Sequence, residues 1–177
     1  MKKLAFLTLL ALAFAVSSCG NSTPTDVTNT QAGGNWEALL TGGTGEASKL
    51  NFVTAFSVTN SGPLDITGFG FINSGACFAT GLNVENESGT ADFTTSSTNQ
   101  VTGTLSFTVN SINPPGNTLA LTGNLTGTSN GTTTTTGTLS NGVVSGTWAL
   151  TGGAGDPSCT GTGNFIMCQG KATCTVP

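Results

Sequence analysis

The sequence predicts an all-β fold: a single antiparallel barrel or sandwich of about 8–10 short strands, placed after an export signal and a flexible tether. Three observations support this prediction. Threonine, a strong β-former, makes up 33 of the 159 residues that follow Ser18, and the 26 glycines of the chain supply turns. Apolar and polar residues alternate with a period of two over Gln100–Asn110. The composition gives almost no support for helix.

The first eighteen residues have the features of an export signal. Lys2 and Lys3 give a cationic start, and residues 4–16 form an apolar run. This run is shorter than the ~20 residues of a membrane-spanning helix and has the length of a signal-peptide core. The segment 19–33 is polar and lacks aromatic residues, so we expect a flexible tether. Residues 34–177 are then predicted to form one all-β domain.

The end of this signal, Val16-Ser17-Ser18-Cys19, resembles the lipobox of bacterial lipoproteins, in which an aliphatic residue and two small residues precede a cysteine. The resemblance implies removal of residues 1–18 and a thioether-linked lipid on Cys19, usually with a further acyl chain on the amine. Two or three acyl chains are enough for stable membrane anchoring. Gly20 stands where lipoproteins of the inner membrane often carry Asp, so the resemblance favours the outer membrane, on its periplasmic or surface face. The alternative is an ordinary signal peptide that contains a cysteine.

The strands are predicted from alternation. It is clearest over Gln100–Asn110, where Val101, Leu105 and Phe107 share one face and the threonines between them share the other. We therefore expect one buried and one solvated face. Less regular runs predict further strands at 35–41, 50–59, 64–72, 76–84, 90–95, 118–128, 132–140, 143–151 and 160–167.

Asn141-Gly142 is the strongest short hairpin signal in the chain, because a type I′ turn needs positive φ at both central residues. A two-residue loop at this position would pair Ser140 with Val143 and Leu139 with Val144. The flanking apolar residues would then lie on one face of the hairpin.

The preceding turn is predicted as a three-residue loop, Ser129-Asn130-Gly131, because this length pairs Leu121 with Leu139 on one face. The same register aligns two rows across three strands. They are Gly123, Gly137 and Gly146, followed by Leu125, Thr135 and Trp148. A glycine row lets a sheet bend or accept a large ring, so we expect Trp148 over a curved part of the barrel.

The start of the predicted domain, Gly34-Asn35-Trp36, resembles the Gly-x-Trp opening strand of the calycin barrels, the lipocalins and avidins. Those proteins bind small molecules in the barrel mouth, so the resemblance implies a cavity open to a small apolar ligand. The alternative is that Trp36 is an ordinary core residue and that the barrel is filled. The side chains that would line the cavity or fill the barrel are Phe52, Phe56, Phe107, Leu121 and Trp148.

Five cysteines are an odd number for an exported protein, and a lipid on Cys19 would leave four to pair. An oxidising compartment and the lack of paired C-x-x-C motifs favour disulfides, so we predict no metal site. Three connectivities are possible. We favour Cys77–Cys159 together with Cys168–Cys174, the second of which closes a short loop.

Acidic residues are concentrated in one segment, which contains Glu85, Glu87 and Asp92. Clustered carboxylates can bind calcium or flank a glycosidic bond. The alternative function is therefore a carboxylate- or calcium-dependent carbohydrate-active protein. A solvated hairpin end explains the same residues, and no Asp-x-Asp-x-Asp-Gly loop is present.

The residue types that are scarce or missing exclude other functions. After the export signal, two lysines and no arginine stand against eight acids, so we expect no nucleic-acid partner. The chain has no histidine and no tyrosine, which removes common general acids and bases. We therefore predict a non-catalytic envelope lipoprotein without a cofactor, whose barrel binds a small apolar ligand or has a structural role.

Overall fold

The computed structural model describes residues 34–58, 61–129 and 139–170, and nine β-strands lie in this part of the chain. They are β1 (Gly34–Gly42), β2 (Asn51–Ser57), β3 (Ser61–Pro63), β4 (Asp65–Asn73), β5 (Asn86–Thr95), β6 (Gln100–Asn110), β7 (Thr118–Ser129), β8 (Leu139–Thr151) and β9 (Gly161–Gln169). A 3₁₀ helix, Gly45–Lys49, lies between β1 and β2. Over the same residues, no helix has the length and apolar character needed to cross a membrane. The predicted all-β class is confirmed.

The strands form one antiparallel sheet that nearly closes into a barrel. β5 to β9 are neighbours in chain order, β9 pairs with β1, and β1 pairs with β2. Leu64 alone separates β3 from β4, yet β3 pairs with β5 whereas β4 pairs with β2. The Leu64 N–H donates to the Gly89 carbonyl at 2.9 Å. The bend at Leu64 therefore carries the chain from one sheet edge to the other, and the predicted barrel is confirmed.

The two ends of the barrel differ in what lies there. At the end that we call the capped end, the strands are joined by four connections, 43–50, 74–85, 111–117 and 152–160. At the other, which we call the terminal end, β1 begins at Gly34 and β9 ends at Gln169. Both the predicted tether and the last residues of the chain are therefore attached at the terminal end.

The core is built by alternation, since every second side chain of a strand points into the barrel. In β6, Val101, Leu105, Phe107 and Val109 are buried, as predicted, and Thr102 is exposed on the other face. The inward side chains of all the long strands belong to one continuous apolar cluster. Because full burial of a large apolar side chain stabilises a fold by about 1.5–3 kcal/mol, this cluster is the main source of stability.

The strand predicted over 76–84 is wrong, because this segment lies in the connection 74–85 between β4 and β5. Gly81 and Asn83 have φ angles of 132° and 54°, which residues of an extended strand do not adopt. Asn83 instead holds the connection against β4, since its Oδ1 accepts from the Phe69 N–H at 2.9 Å. Apolar residues that alternate here belong to a folded loop.

The hairpin predicted at Asn141-Gly142 is also wrong. β8 runs through both residues and pairs directly with β7. Asn141 has a positive φ of 53°, but Gly142 is not among the residues with positive φ. The two residues lie opposite Gly127 alone, so they form a β-bulge in β8. The Asn–Gly pair did indicate a positive φ, but it serves a bulge rather than a turn.

The predicted register of these strands is therefore wrong as well. Leu121 pairs with Trp148, and Leu139 pairs with Ser129 at the last position of β7. Ser129 is thus a strand residue rather than the start of a loop. The rest of the predicted loop and most of the strand predicted over 132–140 fall on residues 130–138, which lie outside the described residues.

Two members of the predicted glycine row, Gly123 and Gly146, are direct partners on β7 and β8, while Gly137 lies outside the described residues. The ring that lies over Gly123 belongs to Phe165, since a Cβ on Gly123 would lie 2.9 Å from the Phe165 Cζ atom. A Cβ on Gly146 would instead meet the backbone of Thr122 and Gly123. A glycine of the row therefore accepts a large ring, but the prediction that this ring is Trp148 is wrong.

Candidate functional site

The side chains predicted to line a ligand cavity all lie inside the barrel, and none is more than 1% exposed. They are Phe52, Phe56, Phe107, Leu121 and Trp148. The ring centroids of Phe52 and Phe107 are 5.6 Å apart in a stacked pair, and Phe56 stacks on Trp36 at 5.3 Å. Phe69 joins the cluster 5.0 Å from Phe52. At these positions the interior is therefore occupied by rings that contact one another.

Trp148 lies toward the capped end, and its polar group is satisfied. Its Nε1–H donates to the Thr41 carbonyl oxygen at 2.9 Å. The ring packs closely on backbone, since a Cβ on Gly43 would lie 2.8 Å from its Cη2 and a Cβ on Gly163 would lie 2.7 Å from its Nε1. A hydrogen bond and two glycines together fix the position of this indole.

Trp36 lies near the terminal end, and its polar group, unlike that of Trp148, is not satisfied. It is 1% exposed, and its Nε1 has no hydrogen-bond partner in the described part of the chain. Three other buried side-chain atoms near this end also lack a partner: Asn35 Oδ1, Thr95 Oγ1 and Ser129 Oγ. The remaining two such atoms among the described residues, Asn51 Oδ1 and Glu87 Oε1, lie toward the capped end. Each buried polar atom without a partner costs about 1–3 kcal/mol, so a group of four requires an explanation.

A depression with a volume of about 280 Å³ opens at the terminal end between β1, β8 and β9. Its lining residues are Gly34, Asn35, Leu139, Ser140, Asn141, Gln169 and Gly170. Trp36 lies directly beneath this lining. A Cβ on Gly142 would lie 2.6 Å from the Trp36 Cη2 atom, 2.5 Å from Leu139 Cδ2 and 3.0 Å from Gln169 Oε1. Three carboxamides and a hydroxyl surround the depression, and none of its lining residues is charged.

At the capped end, Asn117 connects three of the four connections. Its Nδ2 donates to the carbonyls of Cys77 at 2.7 Å and Ala154 at 3.0 Å, and its Oδ1 accepts from the Ala154 N–H at 2.9 Å. The Asn117 N–H donates to Ser111 Oγ at 2.8 Å. This residue is 1% exposed. A satisfied buried network of this kind holds loops in one arrangement.

A disulfide and two further hydrogen bonds also join the connections of the capped end. Cys77 and Cys159 form a disulfide between the connections 74–85 and 152–160, which confirms the predicted pair. The 3₁₀ helix is held to both, because the Glu46 N–H donates to Ser158 Oγ at 3.1 Å and Glu46 Oε2 accepts from the Ala76 N–H at 3.0 Å. All four connections of the capped end are therefore cross-linked.

The second predicted disulfide, Cys168–Cys174, involves a residue outside the described part of the chain. Cys168 is itself disulfide-bonded. Cys174 and the predicted lipidation site Cys19 both lie outside the described residues. The pairing of Cys168 and the lipid on Cys19 stay predictions.

Of the three acids of the predicted cluster, Glu85 and Glu87 stay near each other, and Asp92 is separated from them. Glu85 is buried in the connection 74–85, where its Oε1 accepts from the Ala79 N–H and its Oε2 from the Ile112 N–H, each at 2.6 Å. Glu87 faces inward from β5, whereas Asp92 is exposed on the outer face of the same strand, about 16 Å further along. A glycosidase needs two carboxyl groups on either side of one bond, about 5–9.5 Å apart. Glu87 and Asp92 do not meet this requirement.

Glu87 is nevertheless perturbed by its position. Burial in the barrel wall raises its pKa above the ordinary value, a hydrogen bond from its own backbone opposes this effect, and the nearby Glu85 carboxylate adds to it. In residues 34–58, 61–129 and 139–170, no three acidic or cysteine side chains are placed to hold a metal ion together. Glu85 therefore connects the segments 74–85 and 111–117, because each of its carboxylate oxygens accepts from a backbone N–H group.

Sequence reasoning missed Asn117, Glu46 and the unpartnered group around Trp36. Asn117 follows a Pro-Pro-Gly turn and resembles any turn asparagine in sequence. Its burial depends on two loops that lie 37 and 40 residues away in the chain. The sequence signal for the Trp36 group is Gly34-Asn35-Trp36. It predicts the opening strand of a barrel, but it does not indicate that the Trp36 indole lacks an acceptor.

The fold and the geometry of both ends were compared with known proteins. Protein-family models, curated protein sequences and solved structures gave no match to this chain. The resemblances to bacterial lipoproteins and to calycin barrels therefore stay predictions.

Proposed function

We propose that this chain is a non-catalytic lipoprotein of the bacterial envelope whose barrel has a filled interior and a structural role, and does not enclose a ligand. One observation carries the proposal: the side chains expected to line a ligand cavity are at most 1% exposed and pack against one another. A small apolar ligand would have to displace these rings. Exposing each one would cost about 1.5–3 kcal/mol.

The capped end supports this structural role. Its four connections are held by the Cys77–Cys159 disulfide, Asn117 and Glu46. Ligand pockets of barrels are found in the mouth. To admit an apolar molecule at this end, the barrel would have to break several cross-links at once.

The attachment to the membrane rests on the resemblance of Val16-Ser17-Ser18-Cys19 to a lipobox. In this proposal the lipid is on Cys19, and the tether 19–33 leads to Gly34 at the terminal end. A tether of this length reaches at most about 50 Å when fully extended. The barrel would then stand on the periplasmic or surface face of the outer membrane.

The filled interior is tested by native mass spectrometry of the chain purified from its own host, together with a titration with benzene monitored by tryptophan fluorescence. We expect the mass of the protein without a small molecule, and no response to benzene. A matched variant, Phe107→Ala, removes a fully buried ring and should create a dry cavity that does bind benzene. A retained small-molecule mass, or benzene binding to the wild-type chain, would show that the barrel is a container.

The anchor is tested by the intact mass of the mature chain and by its partition between membrane and soluble fractions. We expect a first residue at Cys19 with two or three acyl chains, and recovery with the membranes. A Cys19→Ala variant should lose the acyl mass and leave the membrane fraction. A mature chain that begins elsewhere, or that carries no acyl chain, contradicts the anchoring part of the proposal and leaves the filled interior untouched.

A further inference from the structure

We propose that the capped end carries a surface for contact with lipid, formed by four exposed aliphatic side chains. We call this surface the aliphatic patch, and its members are Ile72, Leu82, Val84 and Ile112. They are 36–55% exposed, and they are the large apolar side chains that are exposed in the part of the chain that the structure describes. The inference rests on the proposed lipid anchor and extends it, because it states which surface of the barrel meets the membrane.

Leu82 and Ile72 form the first half of the aliphatic patch, on the outer face of β4. Phe69 is buried in the barrel, so the next residue, Gly70, faces outward. Leu82 forms a bridge with Gly70, and a Cβ on Gly70 would lie 2.7 Å from the Leu82 Cδ2 atom. Ile72 follows Gly70 by two residues, about 7 Å further along β4. The two exposed side chains are therefore neighbours.

Val84 and Ile112 continue the aliphatic patch toward the next connection. A Cβ on Gly81 would lie 3.4 Å from the Val84 Cγ1 atom, so Val84 lies beside the residue that precedes Leu82. The residue after Val84, Glu85, accepts from the Ile112 N–H at 2.6 Å. The four side chains therefore succeed one another across the connections 74–85 and 111–117.

The loop that carries most of the patch is held in place before any partner arrives. The Asn83 N–H donates to the Phe69 carbonyl at 2.8 Å, and Asn83 Oδ1 accepts from the Phe69 N–H at 2.9 Å. The Cys77–Cys159 disulfide fixes the same connection to 152–160. Contact with a partner therefore costs little ordering of the loop. Contiguous exposed apolar surface is typical of sites that bind a protein or a membrane.

The residue types of the patch favour lipid over a protein partner. The centres of protein–protein interfaces are enriched in Tyr, Trp and Arg. The chain has no Tyr and no Arg, and all four side chains of the patch are aliphatic. Burial among acyl chains needs no directional partner, because the hydrophobic effect depends on the apolar area removed from water.

The segments that supply the patch bring no charge into the bilayer. Residues 66–84 and 93–155 contain no charged residue, and these two segments include all four members of the patch. The acid that follows Val84, Glu85, is 5% exposed and uses both carboxylate oxygens for backbone N–H groups. A charged side chain in hydrocarbon is costly, so an uncharged surface is what contact with acyl chains requires.

The patch and the attachment point of the tether lie on one side of the barrel. β2 alone separates β1 from β4, so these two strands run about 10 Å apart. The tether joins β1 at Gly34, and β4 is about 30 Å long, which is within the ~50 Å reach of the tether. A barrel that lies on this side therefore brings both Gly34 and the patch to one bilayer.

The charges on this side of the barrel set the depth of the contact. Glu37 and Asp65 lie in the half of β1 and the half of β4 that are near the terminal end. Because charged groups avoid hydrocarbon, this half should stay among the headgroups while the uncharged patch enters more deeply.

The test uses the acylated chain as its host produces it, in phosphatidylcholine nanodiscs, with ¹³C at the isoleucine δ1 methyl groups. The chain has four isoleucines, and variants in which each one is replaced by valine assign their signals. Ile72 and Ile112 belong to the patch, whereas Ile66 lies at the terminal end of β4 and Ile166 lies in β9. A nitroxide on the lipid acyl chains broadens the signals of nearby methyl groups. We expect Ile72 and Ile112 to lose more intensity than Ile66 and Ile166.

A double variant, Leu82→Ser with Val84→Ser, removes half of the patch and keeps both reporters. It should reduce the share of chains that meet the bilayer through the patch about tenfold, and with it the intensity loss at Ile72 and Ile112. Val143→Ser is the matched control on the outer face of β8 and should leave these losses unchanged. Unchanged positions of the Ile66 and Ile166 signals show that each variant is folded.

Two results from an acylated chain overturn this inference and leave the anchor in place. One is an intensity loss at Ile66 or Ile166 that equals or exceeds the loss at Ile72 and Ile112, which includes the case of no loss at all. The other is broadening of Ile72 and Ile112 without the nitroxide that disappears on dilution in detergent, because a second copy then covers the patch. An intact mass without acyl chains overturns the anchor and this inference together.

Discussion

The two ends of the barrel treat the same residue type differently. Near the capped end, the Trp148 indole donates to the Thr41 carbonyl at 2.9 Å, and the surrounding loops are cross-linked by a disulfide and by Asn117. Near the terminal end, the Trp36 indole is equally buried but has no acceptor among the described residues. Both rings are packed in the same apolar cluster. The difference therefore lies in polar satisfaction rather than in burial.

This comparison teaches that burial and hydrogen bonding are separate sources of order in the barrel. The capped end has almost all of its buried polar groups in use, so it contributes order and resists change. Four of the six unpartnered atoms of the described residues lie at the terminal end. The buried polar groups of this barrel are therefore satisfied mainly at one of its two ends.

The largest expected effect is loss of the disulfide at the capped end. The Cys77→Ala, Cys159→Ala double variant removes a link across a sequence separation of 82 residues. A closed loop of this length should contribute about 4 kcal/mol, measured as the free energy of unfolding in urea. Amide exchange should accelerate in 74–85 and 152–160 more than in β1. A change below about 1 kcal/mol would mean that the capped end does not dominate stability.

Asn117→Ala should follow, with a loss of about 3 kcal/mol, because three hydrogen bonds of the side chain are removed and the buried Cys77 carbonyl loses its donor. The matched control is Asn124→Ala, an exposed asparagine on the outer face of β7, the strand that follows Asn117, which should change stability by less than about 0.5 kcal/mol. Equal losses of stability for the two variants would show that the Asn117 side chain does not stabilise the capped end.

The two tryptophans give the sharpest form of the comparison. Trp148→Phe and Trp36→Phe lose the same ring volume, but only Trp148 loses a hydrogen bond to a carbonyl. We therefore expect Trp148→Phe to be less stable than Trp36→Phe by about 1 kcal/mol in chemical denaturation. If Trp36→Phe is the less stable of the two, the indole at the terminal end has a partner and the contrast between the ends is lost.

The smallest effect is a dependence on pH from Glu87. Burial raises its pKa in the folded chain, so the folded state holds the proton more tightly than the unfolded state. The stability from this group is complete below the ordinary value of 4.5 and is lost as the pH rises through the raised pKa. Because Glu87 is only partly buried, we expect a loss well below about 1 kcal/mol. Glu87→Gln should abolish it in urea denaturation at a series of pH values.

Asp156 supplies a control of opposite sign at the same end of the barrel. The hydrogen bonds from the Ser158 hydroxyl and backbone N–H lower its pKa. The stability from this group is present above the ordinary value and is lost as the pH falls through the lowered pKa. Asp156→Asn should therefore change the dependence of stability on pH only below the ordinary Asp156 pKa of 3.8. If Glu87→Gln also changed the profile only below the ordinary Asp156 pKa of 3.8, the assignment to Glu87 of the loss with rising pH would be wrong.

Much of the fold could be predicted because it depends on local periodicity. The alternation over Gln100–Asn110 gave β6 with its bounds and its inward face, since period-two burial acts on neighbouring residues. The hairpin at Asn141-Gly142 could not be judged locally, because a positive φ serves a turn or a bulge equally well. The choice is made by Gly127 on the neighbouring strand and by Trp36 and Leu139, which fill the space at Gly142.

The candidate site was less predictable than the fold. Cysteine arithmetic left three connectivities, and the favoured one contained the Cys77–Cys159 disulfide that the structure shows. The five inward side chains were identified correctly as barrel-facing. Whether such side chains enclose a cavity or fill it depends on ring contacts between strands, such as that of Phe52 with Phe107. Whether an indole finds an acceptor depends on the carbonyl opposite it, and residue types alone do not record that distance.

The bend at Leu64 also affects how neighbouring molecules meet. The sheet nearly closes, and the gap between its edges is partly covered, because β3 pairs with β5 and Leu82 bridges to Gly70 of β4. Because exposed strand edges are templates for pairing with another chain, these contacts lower the tendency of neighbouring copies to join into fibres.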